Sequence, residues 1–342
     1  MINRFTSRLN TMGRAYWNYI KRKESLPYQP FKMWIEATNH CNLACRMCPN
    51  SQKPAGYKQG YMEMALYRDI VDQIRGRASH VNLHHRGESL LHKELPEMIS
   101  LAKNAGIKTS IHTNATLLNG ELSREIISSG LDFLSFSFDG YDKQSYEAKR
   151  IGAVFETTTQ NIRDFLSMKS RLKSTSPFTV MEFIDFGYNP GEIEALLKFA
   201  KSLDCPQLDQ ILIKKEHNWA GSHRTESCGK KHSYTACTFP YYALVILFDG
   251  TVVPCPQDFF GELALGNLKD QSLAQIWNNS NMLRLRRLFR HRDIDSLSPC
   301  SKCDLIRRNT LMGIPVSDIS GFMKENLLGF RKMPRSNKIT FK

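Results

Sequence analysis

The segment HCNLACRMCPN carries Cys41, Cys45 and Cys48, three thiols within eight residues at a Cys-x3-Cys-x2-Cys spacing. Three thiolates on one short loop can wrap one face of an iron–sulfur cluster and leave one iron without a protein ligand. An open metal position is what a reacting molecule needs in order to bind. The rival is a structural zinc loop, with His40 as the best further ligand. Such sites usually show pairs of Cys-x2-Cys units or His partners at regular spacing, and no nearby fourth ligand is obvious here.

A second constellation lies downstream: Cys237, then Cys255, then Cys300 and Cys303 in a Cys-x2-Cys pair. Between the first two, FPYYALVILFDGTVVP reads as strand, Asp249-Gly250 turn and strand, a hairpin that brings both thiols together. Four thiolates complete a 4Fe-4S cluster or equally a tetrahedral zinc site, and spacing alone does not choose. Cys228, nine residues before Cys237, is a candidate substitute ligand or catalytic thiol, although a free cysteine is more often a small hydrophobe. Cys205 reads as core.

Histidine supplies acid–base groups near neutral pH. His84, His85 and His112 fall near expected strand ends, and His217 sits in KKEHNWAG. A structural histidine is the commoner role for each. Adjacent His84 and His85 must point to opposite faces, so only one can face a barrel interior. His84, His112 and Cys228 are the catalytic candidates.

The elements that must position these groups follow from periodicity. From Met33 to about Lys215, strand-like runs alternate with helical stretches, which implies parallel strands joined by crossover helices. Strands are expected at Met33–Thr38, Val81–His84, Thr109–His112, Phe133–Phe138, Thr179–Ile184 and Ile211–Lys214. Helices are expected at Ala65–Arg75, Leu95–Asn104, Leu122–Ser129, Thr158–Leu172 and Ile193–Leu203. Six units make an α/β fold, an incomplete parallel (β/α)6 barrel over 31–220. In such folds functional groups gather at the carboxyl ends of strands. That rule selects the loop after Thr38, Gly87-Glu88, Thr113-Asn114, Ser137–Gly140 and the segment after Lys214. A small cysteine-rich domain is expected at 221–310 and a basic tail at 311–342. Residues 1–30 place Phe5, Leu9, Met12, Tyr16 and Ile20 at helical spacing among basic residues. That amphipathic helix could lie on an acidic membrane surface, but packing on the protein's own core is commoner.

With those strand ends in place, the chain resembles the radical S-adenosylmethionine (SAM) superfamily, whose defining cysteine loop has this spacing after the first barrel strand. Gly87-Glu88 in HHRGESLLH resembles the family's Gly-Gly-Glu turn, with Arg86 in place of the first glycine. The resemblance implies that this turn binds the amino group of SAM, that Thr113, Asn114 and Ser137 in TNATLL and SFSFDG approach the cofactor, and that Arg150 faces its carboxylate. It implies a 4Fe-4S cluster on Cys41, Cys45 and Cys48, reductive cleavage of SAM to a 5'-deoxyadenosyl radical, and hydrogen abstraction from substrate. A one-electron reductant such as flavodoxin or ferredoxin is implied as partner. Cys-x12-Gly-x4-Cys, LGNLKDQSLAQIWNN and the final Cys-x2-Cys resemble the SPASM auxiliary-cluster domain. That resemblance implies one auxiliary 4Fe-4S cluster on Cys237, Cys255, Cys300 and Cys303.

Composition narrows the remaining classes. A chain of 342 residues with 41% hydrophobic content can bury a large core, so disorder is not expected. Nine cysteines are too few for a disulfide scaffold of this size, and their clustering fits metal ligation in a reducing compartment. No apolar run approaches the roughly 20 residues of a membrane span, and no secretory signal is legible. A cytoplasmic location is the expectation. The formal charge of +14 is scattered along the chain and does not point to nucleic acid. Three readings of function stand. The first is oxidation, epimerisation or deoxygenation of a small polar metabolite such as a sugar or nucleotide sugar. The second is peptide maturation. The third is a non-catalytic metal- or nucleic-acid-binding module.

Overall fold

The computed structural model describes residues 2–203, 205–222, 234–306, 310–311, 314–315 and 339–341. After α1 (Ile2–Ile20) the chain alternates through β1 (Lys32–Ile35), α2 (Met64–Ile74), β2 (His80–Asn82), α3 (Leu95–Asn104), β3 (Lys108–Thr113), α4 (Gly120–Ser128) and β4 (Phe133–Ser137). It continues through α5 (Lys143–Glu147), α6 (Phe155–Arg171), β5 (Phe178–Asp185), α7 (Pro190–Ser202) and β6 (Gln210–Lys215). Strands β1 to β6 are parallel and adjacent in chain order. This is the α/β fold of six parallel units, an incomplete barrel, expected from the alternating pattern. Sequence signals set several helix starts. Asn119 accepts from the Leu122 N–H at 2.8 Å, and Asn189 and Glu192 cap each other around Pro190.

Strand register separates two faces. Met33, Val81, Ile111, Leu134, Met181 and Ile213 point toward the helices and are essentially fully buried, forming the main core. The opposite, inner face carries Asn82, Ser110, His112, Ser135, Ser137, Glu182 and Lys214. A barrel interior is ordinarily filled by branched apolar side chains, so this polar row marks a face reserved for something other than packing.

The C-terminal part adds β7 (Ala243–Ile246), β8 (Thr251–Val253), β9 (Gly266–Asn267), α8 (Leu273–Trp277) and α9 (Ser280–His291). The hairpin expected around Asp249-Gly250 forms, with Gly250 at φ +90°, a conformation that favours glycine. Its first strand pairs in parallel with β1, so the hairpin extends the barrel sheet. The short pair β10 (Thr310–Leu311) and β11 (Ile314–Pro315) follows. Residues 339–341, read from sequence as part of a basic tail, form β12 (Ile339–Phe341) and pair in parallel with β6 at the other edge.

Helix α1 forms, but its packed face is rotated from the expected one. Tyr19 is buried, donates its hydroxyl to the Ala236 carbonyl at 2.9 Å and meets the Tyr241 ring edge-on, whereas Ile20 is 37% exposed. The tyrosine wins because its hydroxyl and its ring both find partners there. Among the described residues no helix is long and apolar enough to cross a membrane.

Candidate active site

The cysteine loop leaves β1 and is braced on three sides. Thr38 donates to the Gly60 carbonyl (2.7 Å), and buried Asn39 bridges the Lys58 carbonyl and the Gly60 N–H (2.8 and 2.9 Å). On the second side the Ala44 N–H donates to Ile151 and the Arg46 N–H to Lys149. The third is the Gly87 turn, where the Glu88 N–H donates to the His40 carbonyl at 2.8 Å. A Cβ at Gly87 would collide with the Thr38 and His40 carbonyl oxygens, so the turn tolerates glycine alone.

Cys41, Cys45 and Cys48 are free thiols on this loop and lie close enough to influence one another's ionisation. Burial pushes all three thiols up, Cys41 to about 11 and Cys48 to about 12. A thiol in such surroundings becomes a thiolate only when a metal supplies the positive charge, so the donor set fits a metal cluster. Among the described residues no three His, Cys, Asp or Glu side chains converge tightly enough for a single metal ion.

Beneath the loop, Glu88 is buried and bound within its own chain. One carboxylate oxygen accepts from the Leu90 N–H (3.1 Å) and the Thr113 hydroxyl (2.9 Å), the other from the Asn114 N–H (2.7 Å). Burial nevertheless outweighs these donors and raises its pKa. The Asn114 amide donates to Asn42 inside the cysteine loop at 2.9 Å. Gly87, Glu88, Thr113 and Asn114 are therefore brought together as one lattice under the thiols. Ser137 stands on the inner face at the end of β4, opposite Glu182 in register.

Arg150 is partly buried beside the cysteine loop. Its guanidinium binds Asp139 through Nε (2.9 Å) and Nη2, and its positive charge holds back the rise in the pKa of the Cys45 thiol. Asp139 also accepts from the Ile184 N–H at 2.8 Å. The expected arginine thus has a carboxylate of its own chain, which fixes its fork beside the thiols. Asp139 falls in the Ser137–Gly140 segment that the strand-end rule selected, but it was given no role of its own there.

Arg86, where the family pattern has glycine, turns away from the loop. It forms a bidentate pair with Glu36 at the end of β1 (2.5 and 2.6 Å) and reaches the Phe259 carbonyl at 3.4 Å in the C-terminal part. The side chain that replaces glycine is therefore accommodated outside the turn.

The histidines divide as parity requires. His84 shares the inner face with Asn82, and its ring lies 4.3 Å from that of His112, whereas His85 packs toward Phe259. Burial and His112 keep His84 neutral, its pKa well below the ordinary value. His112 Nδ1 is 3.7 Å from Glu182, whose carboxylate also binds Lys214 (2.7 Å) and the Ser135 hydroxyl (3.2 Å). Burial works against the charge on Glu182, but Lys214 and His112 outweigh it and hold the pKa near about 2. Neither Glu182 nor Lys214 was singled out as a site residue. The available signal was residue type alone, a charged side chain within each of two strand-like runs. His217 lies against Trp219, with ring centroids 4.3 Å apart. Cys228 lies outside the described residues.

Cys237, Cys255, Cys300 and Cys303 line one small cavity of about 20 Å³, walled by Phe239, Leu263 and Phe289. Burial raises Cys255 and Cys300, and each is raised further by neighbouring thiols of the set. This donor set fits a second, fully ligated metal centre. Cys205 stands apart, half-buried near the end of α7.

Residues 35–200 match the radical SAM superfamily, and residues 237–304 match the SPASM iron–sulfur cluster-binding domain. The chain is a radical SAM enzyme with a SPASM domain. Its cofactors are accordingly a 4Fe-4S cluster, SAM and auxiliary iron–sulfur in the SPASM domain. This radical SAM enzyme is 22% identical over 321 residues to the tungsten-containing aldehyde ferredoxin oxidoreductase cofactor-modifying protein of Pyrococcus furiosus, covering 80% of this chain and 89% of that one. It is 22% identical to the SAM-dependent 2-deoxy-scyllo-inosamine dehydrogenase of Niallia circulans, covering 81% and 93%. Its fold resembles Streptococcus suis SuiB bound to precursor peptide SuiA, with TM-score 0.61, 14% identity and coverage of 88% and 75%.

Proposed function

We propose that this radical SAM enzyme abstracts hydrogen from a small polar metabolite, sugar-like or nucleotide-sugar-like, leading to oxidation, epimerisation or deoxygenation. The observation that carries this reading is the inner face. His112 and Lys214 keep 27% and 34% of their side chains exposed although they stand on strands inside the sheet, so that face is open and hydrogen-bonding. Bound SAM and the reduced cluster supply a 5'-deoxyadenosyl radical, chemistry that the cofactor carries and the protein directs. Cys41, Cys45 and Cys48 hold the cluster. The Glu88–Thr113–Asn114 lattice fixes the loop beneath it, Gly87 brings the turn against that loop, and Arg150 sets a positive charge beside Cys45. The inner-face side chains bind and orient the substrate below. Similarity to an enzyme named as an inosamine dehydrogenase supports the reading.

The four SPASM-domain cysteines would hold one auxiliary 4Fe-4S cluster. A one-electron carrier such as flavodoxin or ferredoxin would serve as reductant, and the buried, reduced thiols suit a cytoplasmic setting. Peptide maturation is the second reading, favoured by the SuiB-like fold. The non-catalytic module is set aside, because residues 35–200, which include Cys41, Cys45 and Cys48, match a superfamily of enzymes.

Deuterated sugars, nucleotide sugars and peptides incubated with reconstituted, reduced enzyme and SAM test the choice. Deuterium from a sugar ring recovered in 5'-deoxyadenosine supports the first reading. Transfer from peptides alone overturns it.

A further inference from the structure

The inner face carries a charge balance that the reaction class does not require. Toward the carboxyl ends of the strands, Glu182 on β5 and Lys214 on β6 form an ion pair on this face, joined at 2.7 Å. Behind this pair Ser135 donates to Glu182, and Asn82 and Ser110 are bonded to each other at 2.7 Å, all three buried, while His112, its ring 4.3 Å from that of His84, and Lys214 keep 27% and 34% of their side chains exposed. A hydroxyl group also donates and accepts, so His112 and the Glu182–Lys214 pair can meet hydroxyls on a ring. An anion would meet Glu182 and compete with it for Lys214. A cation would meet the reverse conflict. Specificity by leaving a charge badly paired is a strong filter.

We propose that the inner face binds an uncharged, hydroxyl-rich ring, and that the Glu182–Lys214 pair sets this neutrality by cancelling its own charges at the floor of the site. This assignment rests on the small-metabolite reading and narrows it to uncharged rings, in contrast to nucleotide sugars and to the amine-bearing inosamine named for the relative. Glu182 acts as a positioning and selectivity residue. It holds His112, Lys214 and Ser135 from three neighbouring strands.

Removing one member of the pair exposes the other, so the two single variants should shift selectivity in opposite directions. With Glu182→Gln, Lys214 is released and the site becomes cationic. With Lys214→Met, Glu182 is left uncompensated and the site becomes anionic. A merely structural role would weaken all rings alike.

Equilibrium binding to the full-length, reconstituted protein with SAM reads this directly, using myo-inositol, glucose, glucose 6-phosphate and glucosamine as probes. The wild type is expected to bind myo-inositol or glucose about tenfold more tightly than glucose 6-phosphate or glucosamine. Glu182→Gln should favour glucose 6-phosphate by about tenfold relative to wild type, and Lys214→Met should favour glucosamine by a similar factor. Wild-type preference for a charged ring, no binding of either neutral ring, or unchanged preference in whichever variants fold would overturn the proposal. Binding is read without turnover. Failure of the hydrogen-abstraction reading therefore shows separately, as neutral rings that bind without deuterium reaching 5'-deoxyadenosine.

Discussion

Arg86 and Glu36 form a buried bidentate ion pair, 2.5 and 2.6 Å long, that joins the turn after β2 to the end of β1 and reaches the Phe259 carbonyl. The pair links the barrel to the SPASM domain. Breaking it from one side leaves a buried, uncompensated charge.

Arg86→Met should therefore cost about 3–5 kcal/mol of stability, and pairing it with Glu36→Leu should recover most of that loss. Urea unfolding of the single and double variants measures both. Equal losses in the two would show that the charge pair is not what the single variant breaks.

Gly87→Ala tests the close approach under the cysteine loop. The added methyl meets the Thr38 and His40 carbonyl oxygens, so the loop must shift while the helix-side core is untouched. The expected outcome is unchanged circular dichroism with iron lost from the N-terminal site. Normal iron content would mean that the turn yields instead.

Much of this arrangement was legible in the sequence, and the exceptions share a cause. Six parallel strands follow from local periodicity, and the cysteine sets from spacing, because both are properties of short segments. The Glu36–Arg86 and Glu182–Lys214 pairs join residues on different strands, and the parallel pairing of β7 with β1 joins segments some two hundred residues apart. No local pattern encodes those partners. Residue type still hinted at them, since a charge in a strand-end segment needs a partner if it is buried. The rotated face of α1 is similar: Tyr19 is fixed by the Ala236 carbonyl and Tyr241, both distant in sequence.

Glu88→Gln tests the lattice below the thiols. Both carboxylate oxygens now accept hydrogen bonds, and an amide nitrogen in place of either would face a donor. The expected cost is about 1–3 kcal/mol, with weaker SAM binding by calorimetry. Wild-type SAM affinity would remove Glu88 from the cofactor site.

His84 and His85 predict a pH dependence. Burial is the main cause holding both well below 6.5 in the folded protein. Below about pH 6.5 the unfolded chain takes up protons that the folded chain refuses, so stability falls as pH drops and is regained as pH rises toward 6.5. Each histidine contributes at most about 1.4 kcal/mol per pH unit in that window. The variant His84→Asn with His85→Phe should flatten the profile between pH 5.5 and 7. An equally steep profile would place the titrating groups elsewhere.

The most direct test counts iron and 5'-deoxyadenosine in anaerobically reconstituted enzyme and in the Cys41→Ala, Cys45→Ala, Cys48→Ala variant. About eight irons and SAM cleavage are expected in the wild type, against about four irons and no cleavage in the variant. Cleavage that survives in the variant, or zinc at both sites of the wild type, would contradict the assignment.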